Sequence, residues 1–265
     1  MLKGFLKQLI MYIIVEMQQR LTYLGIPEDR ADPTLHYKTK SSSKLSSKIV
    51  LSSLGLGLSV SSEKFDCEVM DWELFYDLAK RVSQKIKESG YRPDFVVGLA
   101  RGGWVLARVL CDFLGVKDLV SLKVEHWGIT ATPDGKAKLK YPFSIDLSGR
   151  RVLVVDDITD TGESMRLATE YVRTLNPEEV RTAALRHIEG SKFVPDYYGD
   201  EITWRWVIFP WNFTEDLCNI VPKVADECSN LEELRRRLKE DYKIDIDEPR
   251  LSEILRELKR RSKEI

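Results

Sequence analysis

Side chains suited to binding chemistry crowd the segment RVLVVDDITDTGESM, residues 151–165. An apolar run there ends in two adjacent aspartates, Asp156 and Asp157. Adjacent carboxylates repel each other, so a purely structural role is not expected for both. Such carboxylates can accept hydrogen bonds from the vicinal hydroxyls of a sugar, and they can also hold a magnesium ion through water.

Small and hydroxyl-bearing residues follow these acids, where a helix is predicted to begin. The backbone N–H groups of a first helical turn have no partner within the helix, and the helix dipole is positive at that end. Gly162 lets an anion approach the backbone, and Thr161 and Ser164 offer hydroxyl donors. These features predict a phosphate site, although no Walker sequence is present. A diol site beside a phosphate site indicates a sugar phosphate.

The rest of the pattern predicts strands that alternate with helices, which is typical of an α/β fold with a mostly parallel sheet flanked by helices. Ligands of such sheets lie beyond the carboxyl ends of the strands. The acidic segment and the loop at Ala100–Gly103 both fall at that edge. The predicted helices cover 72–89, 104–115 and about 162–175, and the predicted strands cover 94–100, 119–127, 151–155 and roughly 180–188.

The charge balance excludes some classes of partner. The 265 residues include 41 basic and 42 acidic side chains, for a net charge of -1. This balance gives no field that would favour nucleic acid or a membrane surface. No apolar run approaches the ~20 residues needed to span a bilayer. We therefore expect a cytoplasmic protein with no nucleic-acid and no membrane partner.

Composition divides the chain into three parts. Residues 36–62 are serine-rich and low in complexity, so 1–62 is predicted to be a flexible N-terminal extension. The α/β domain is predicted to cover 63–216, with a small hood near its end. Two short amphipathic stripes predict a helical tail over 217–265 that packs on the domain or on a partner subunit.

The segment VLVVDDITDTGES resembles the phosphoribosyl-pyrophosphate (PRPP) binding motif of type I phosphoribosyltransferases, and the resemblance covers about residues 65–216. It implies the fold of that family. It also implies that Asp156 and Asp157 meet the ribose hydroxyls and that the 5′-phosphate lies around residues 160–164. The residues implied to bind PRPP or the nucleotide are Ala100, Arg101, Gly102, Gly103, Asp156, Asp157, Thr159, Asp160, Thr161, Gly162, Glu163 and Ser164.

A second segment, VVGLARGGWVLA, is similar to the pyrophosphate loop of this family. Gly102 and Gly103 expose backbone amides there, and Arg101 supplies charged donors for a diphosphate. The polar segment 128–149 stands in the place of the family's catalytic loop, which closes over the reaction and excludes water. Its basic side chains, which either contact the pyrophosphate or remain solvated, are Lys136, Lys138 and Lys140.

Two further features bear on the base. Asp160 resembles the catalytic acid that 6-oxopurine transferases place beside N7, where a carboxylate can exchange a proton with the purine. WRWVIFPWNF resembles the hood of the xanthine–guanine branch. That resemblance implies that Trp206 stacks on the base, that Val207 offers backbone groups to its edge, and that Trp211 packs the hood.

The strand after the motif departs from the family pattern, which usually has a lysine that donates to the base O6. This chain has Arg186 and His187 there. Side chains alternate along a strand, so only one of the two is expected to face the site. Arg186 would donate to an oxo group, whereas neutral His187 can also accept from an amino group, which leaves adenine open as the base.

Taken together, the resemblance implies a purine phosphoribosyltransferase that favours hypoxanthine, guanine or xanthine. Mg²⁺ would be held at Asp156 and Asp157, mainly through water and PRPP. A homo-oligomer, either dimer or tetramer, is expected. Two alternatives stay open, namely an adenine phosphoribosyltransferase and a PRPP-sensing regulatory protein of the same fold.

Overall fold

The computed structural model describes residues 64–125 and 138–262. The predictions for residues 1–62, for the end of the strand at Trp127 and for Lys136 lie outside the described residues. None of the helices in the described part of the chain combines the length and the apolar character needed to cross a membrane.

The first helices begin and end where local signals predict. Helix α1, Trp72–Glu88, starts after Asp71, whose carboxylate accepts a hydrogen bond from the Leu74 backbone N–H at 2.8 Å. Helix α2, Gly103–Leu114, ends at Gly115, which adopts the left-handed conformation at φ 71°. Glycine takes this conformation without steric cost, so both the cap and the stop were readable from the sequence.

The main sheet confirms the predicted α/β class. In the described residues it has six strands in the order β4-β3-β2-β5-β6-β7, and all neighbours are parallel except the edge pair β3–β4. Strand β5 is longer than predicted, because its pairing with β6 continues to Thr159 opposite His187. The six strands are β2 Phe95–Ala100, β3 Asp118–Glu125, β4 Lys138–Tyr141, β5 Arg151–Thr159, β6 Glu179–Ile188 and β7 Tyr197–Ile202.

Helices cover both faces of this sheet. Helices α1 and α2 pack on one face, around buried residues such as Leu78, Leu106 and Leu153. Helix α3, Glu163–Arg173, packs on the other face, where Met165 and Val154 are fully buried. The carboxyl ends of β2 and β5 emerge side by side between these layers.

A second, two-stranded sheet forms the hood. Strand β1, Cys67–Val69, pairs in parallel with β8, Trp206–Ile208. We use the word hood for β1, β8 and the segment 203–212.

The C-terminal helices share a hydrophobic core with the hood. This core joins Cys67 and Ile208 of the hood to Leu217, Leu238 and Ile254 of the helices. One helix spans 213–220 and so crosses position 216/217, where the α/β domain was predicted to end. The helices are α4 Phe213–Ile220, α5 Pro222–Ala225, α6 Leu231–Tyr242 and α7 Glu248–Arg261.

Candidate active site

The acidic strand end and the Arg-Gly-Gly turn lie against each other at the carboxyl edge of the sheet. A Cβ added at Gly102 would lie 1.7 Å from Asp157 Oδ2, and one added at Gly103 would lie 2.6 Å from the Asp156 Cα. Only glycine therefore allows the turn to approach this closely. The peptide bond between Ala100 and Arg101 is cis. The two motifs, distant in sequence, form one surface.

Asp156 and Asp157 are partly buried and electrostatically coupled. The Asp157 N–H donates to Asp156 Oδ1 at 3.0 Å, and the Ile158 N–H donates to Asp157 Oδ1 at 3.0 Å. Burial raises the pKa of Asp156 well above its usual value, and the neighbouring carboxylate adds to this. Burial also raises the pKa of Asp157. A cation or a pair of hydroxyl donors would stabilise the charged forms.

The donor set at this edge fits a magnesium ion shared with a phosphate ligand. Magnesium usually keeps several waters and binds proteins through one or two carboxylates together with substrate phosphates. Asp156 and Asp157 supply such carboxylates. No group of three or more His, Cys, Asp or Glu side chains able to hold a metal occurs within residues 64–125 and 138–262. The two carboxylates therefore fit an ion that also takes oxygens from water and from a phosphate.

The predicted phosphate site lies at the start of α3. Gly162 is the N-cap and adopts a left-handed φ of 79°. A Cβ added there would lie 2.4 Å from Phe193 Cβ, so glycine is required for space as well as for conformation. Asp160 and Thr161 are exposed beside it. The Glu163 N–H donates to the Thr161 hydroxyl at 3.4 Å. The N–H groups of a first helical turn and the positive end of the helix dipole favour an anion at this position.

The buried side of this strand end is closed by a threonine–histidine contact. Thr159 is 1% exposed, and its hydroxyl lies 2.8 Å from Nδ1 of His187. The His187 ring also packs against Tyr198, with the ring centroids 5.2 Å apart. His187 is therefore engaged inside the protein.

Arg186 is held in a buried ion-pair network that links the hood to the sheet. Its Nη1 lies 2.7 Å from Glu68 Oε1, and its Nε lies 3.2 Å from Asp200 Oδ1. The N–H directions miss the line of a hydrogen bond, so these contacts are ion pairs. The side chain is only 4% exposed. Arg186 thus holds β1 of the hood onto β6 and β7.

A cavity of roughly 130 Å³ lies between the ends of β5 and β6 and the hood. Its wall combines acids of the motif with apolar and aromatic residues of the hood, and neither Arg186 nor His187 lines it. The lining residues are Asp157, Ile158, Asp160, Ile188, Trp204, Arg205, Trp206, Val207, Phe209 and Asn212. The structure thus brings Asp160, Trp206 and Val207 together on the wall of one cavity.

Trp211 packs the hood, as predicted. Its ring stacks on Phe209 with centroids 4.9 Å apart and meets Phe75 edge-on at 5.1 Å. The buried indole N–H of Trp211 has no hydrogen-bond partner of full geometry in the described part of the chain. It lies close to Asp157, and this contact lowers the pKa of Asp157 and so opposes the larger effect of burial. The aromatic cluster therefore borders the acidic pair.

The described basic side chains that were predicted to meet a diphosphate are exposed. Arg101 Nη2 donates to both carboxylate oxygens of Glu215 on α4, at 2.8 and 2.9 Å. Lys138 and Lys140 are exposed on β4.

Several residues around the site were not singled out in the sequence. Arg205 and Asn212 line the cavity, and Glu215 and Asp216 approach the site from α4. The position of Arg205 between two hood tryptophans was the one available signal. No such signal pointed to the acids of α4, because their contacts are set by tertiary packing.

Comparisons with known proteins agree with this geometry. A family model described as "Phosphoribosyl transferase domain" matches residues 68–216. A hypoxanthine-guanine phosphoribosyltransferase of Aquifex aeolicus is 30% identical over 144 residues, which are 50% of this chain and 79% of the relative. A xanthine-guanine phosphoribosyltransferase of Cereibacter sphaeroides is 30% identical over 120 residues, 44% of this chain and 68% of the relative. An orotate phosphoribosyltransferase of Caldanaerobacter subterraneus is 35% identical over 102 residues, 38% of this chain and 47% of the relative.

Proposed function

This chain belongs to the phosphoribosyltransferase family, and we propose that it transfers the 5-phosphoribosyl group of PRPP to N9 of a purine base and releases pyrophosphate. One observation carries the proposal. A single cavity joins Asp157 and Asp160 of the sugar-phosphate motif to Trp206 and Val207 of the hood. A 6-oxopurine is the preferred base, in keeping with the names of two relatives, a hypoxanthine-guanine and a xanthine-guanine enzyme.

The sugar phosphate would be held at two points. The carboxylates of Asp156 and Asp157 accept hydrogen bonds from the 2′- and 3′-hydroxyls. The backbone N–H groups at the start of α3, with the hydroxyls of Thr161 and Ser164, bind the 5′-phosphate. Binding at these two points would place C1′ next to the cavity between the strand ends and the hood.

The pyrophosphate would lie in the Arg-Gly-Gly turn. Backbone amides at Gly102 and Gly103 face the diphosphate, and Arg101 lies at the rim. When bound, a magnesium ion supplies charge neutralisation for the leaving group. The bond between C1′ and the pyrophosphate oxygen breaks through an oxocarbenium-like state, and the electron pair leaves with the pyrophosphate.

The base would stack on Trp206 inside the cavity, with Val207 offering backbone groups to its edge. N9 forms the new bond to C1′, and the proton lost from the base is taken at N7 by the Asp160 carboxylate. Holding both substrates in one geometry under a closed site supplies much of the rate.

The alternatives differ in their support. The adenine reading depends on His187 reaching the base, and that ring is engaged with Thr159. An orotate relative matches this chain, although over 47% of its own length. A PRPP-sensing protein would bind PRPP without turning over any base. Asp160 on the cavity wall favours an enzyme.

The direct test is a panel of bases. Purified protein with PRPP and Mg²⁺ is assayed against hypoxanthine, guanine, xanthine, adenine, orotate and uracil, with Asp157→Asn prepared identically as a control for contaminating enzymes. We expect kcat/KM for at least one 6-oxopurine to exceed that for the other classes by about tenfold or more. Turnover of orotate alone, or PRPP binding with no turnover of any base, would refute the proposal.

Quaternary structure and location stay predictions. A homo-oligomer, either dimer or tetramer, is compatible with the exposed aromatic side chains of Trp72, Tyr76 and Trp104 on α1 and α2. The cytoplasmic location and the absence of a nucleic-acid partner rest on charge and composition alone.

A further inference from the structure

Helix α4 carries two adjacent acids, Glu215 and Asp216, that approach different parts of the active site. Neither has a part in the chemistry described above. Asp216 is only 5% exposed, and the side chain of Glu215 is 44% exposed. A buried carboxylate on a helix is costly unless something pairs with it.

Asp216 faces the indole of Trp206. Asp216 Oδ2 and Trp206 Nε1 are both buried atoms that lack a hydrogen-bond partner of full geometry in the described residues. The Trp206 N–H nevertheless lies close enough to lower the pKa of Asp216, which burial raises to about 7. The other charged groups that act on Asp216 are Glu215, Asp157 and Arg101. Buried indole N–H groups usually find an acceptor, and pairing would satisfy both atoms.

Glu215 ties the same helix to the pyrophosphate turn. Both of its carboxylate oxygens accept from Arg101 Nη2, at 2.8 and 2.9 Å. The two side chains are 67% and 44% exposed, and pairs this exposed add little to stability. The contact orients the Arg101 guanidinium and contributes little to the stability of the fold.

The helix itself is firmly fixed. Leu217 and Ile220 of α4 are fully buried in the core shared with the hood and with Leu238 and Leu251 of the C-terminal helices. Any shift of α4 would have to disrupt this core. The helix is thus a rigid support between the hood and the turn.

We propose that Asp216 is a positioning residue that fixes the Trp206 indole as the platform for the purine, while Glu215 on the same helix fixes Arg101 at the pyrophosphate turn. The C-terminal helices then serve to hold the two halves of the site in register. This inference rests on the proposed function, because it assigns Trp206 to the base and Arg101 to the diphosphate.

The kinetic test separates the two substrates. Asp216→Leu should raise the KM for the base by about tenfold or more, the size of effect expected when a buried donor is left with no acceptor beside it, with kcat and the KM for PRPP nearly unchanged. Asp216→Asn should retain most of the base affinity, because the amide oxygen still accepts from the Trp206 N–H.

Glu215→Gln should raise the KM for PRPP by about threefold and leave the KM for the base unchanged. Asp226→Leu, at an exposed aspartate of the same region, is the matched control.

A ligand-free measurement separates this inference from the proposed function. The ¹⁵N-indole resonance of Trp206, assigned through Trp206→Phe, should shift in Asp216→Leu and stay in place in Asp226→Leu. If Asp216→Leu does not fold, Asp216→Ala takes its place, and adding it to Trp206→Phe should raise the base KM no further. An unmoved resonance, an unchanged base KM, or equal changes in both KM values would overturn the inference. A wild type without turnover would overturn the proposed function, and the indole resonance would still show whether Asp216 positions Trp206.

Discussion

Replacing Asp160 with alanine is expected to lower kcat by about 10²–10⁴-fold, the usual contribution of a general acid or base. Asp160 lies on the cavity wall with Trp206 and Val207, where a carboxylate can reach the base. PRPP affinity should change little, because the ribose and phosphate contacts belong to Asp156, Asp157 and the start of α3. Steady-state kinetics and calorimetry with PRPP measure the two quantities.

The matched control for this prediction is Asp160→Asn. The amide keeps the size and an acceptor oxygen of the carboxylate, but it cannot take up a proton at neutral pH. It should therefore be nearly as slow as the alanine variant. A rate close to that of the wild type in either variant would remove Asp160 from the chemistry.

The second large effect is expected when Asp156→Asn and Asp157→Asn are combined. Each amide keeps one acceptor oxygen and introduces a donor that opposes the ribose hydroxyls. PRPP binding should weaken by about 100-fold or more, because two hydrogen bonds to charged groups are lost. Calorimetric affinity equal to that of the wild type would contradict the ribose assignment, and Asp77→Asn with Asp226→Asn, both exposed, controls for general charge effects.

Thermal unfolding shows whether this double variant is still folded. Burial raises the pKa of both acids in the folded chain. A carboxyl group whose folded pKa lies above its unfolded value loses its stabilising contribution as pH rises between those two values. At pH 7, which lies above the unfolded pKa of both groups, their burial therefore lowers the stability of the ligand-free wild type. The variant should melt at the same temperature or higher, so that lost binding cannot be ascribed to unfolding.

Features with local causes were predictable from the sequence. Asp71 caps α1 because its carboxylate reaches an N–H three residues on, and Gly115 ends α2 because only glycine takes that backbone conformation easily. The acidic motif was recognisable because ribose and phosphate recognition confine its residue types to one short segment. Its location at the carboxyl edge followed from the alternation of strands and helices.

Features set by tertiary pairing were not predictable. Strand β7 contains Gly199 and two acids, which break the strand pattern, yet it pairs in parallel with β6. Cys67 pairs with Trp206, far away in sequence, and this pairing builds the hood. Strand alternation placed Arg186 and His187 on opposite faces, but it could not reveal that Glu68 and Thr159 would engage them.

One measurement tests the central claim most directly, namely a crystal structure of the protein with guanosine monophosphate. We predict ribose hydroxyls about 2.5–3.0 Å from the carboxylates of Asp156 and Asp157, and the 5′-phosphate on the backbone N–H groups of residues 160–164. The purine should stack on Trp206. A nucleotide bound elsewhere, with this strand end and helix start unoccupied, would contradict the assignment of the site.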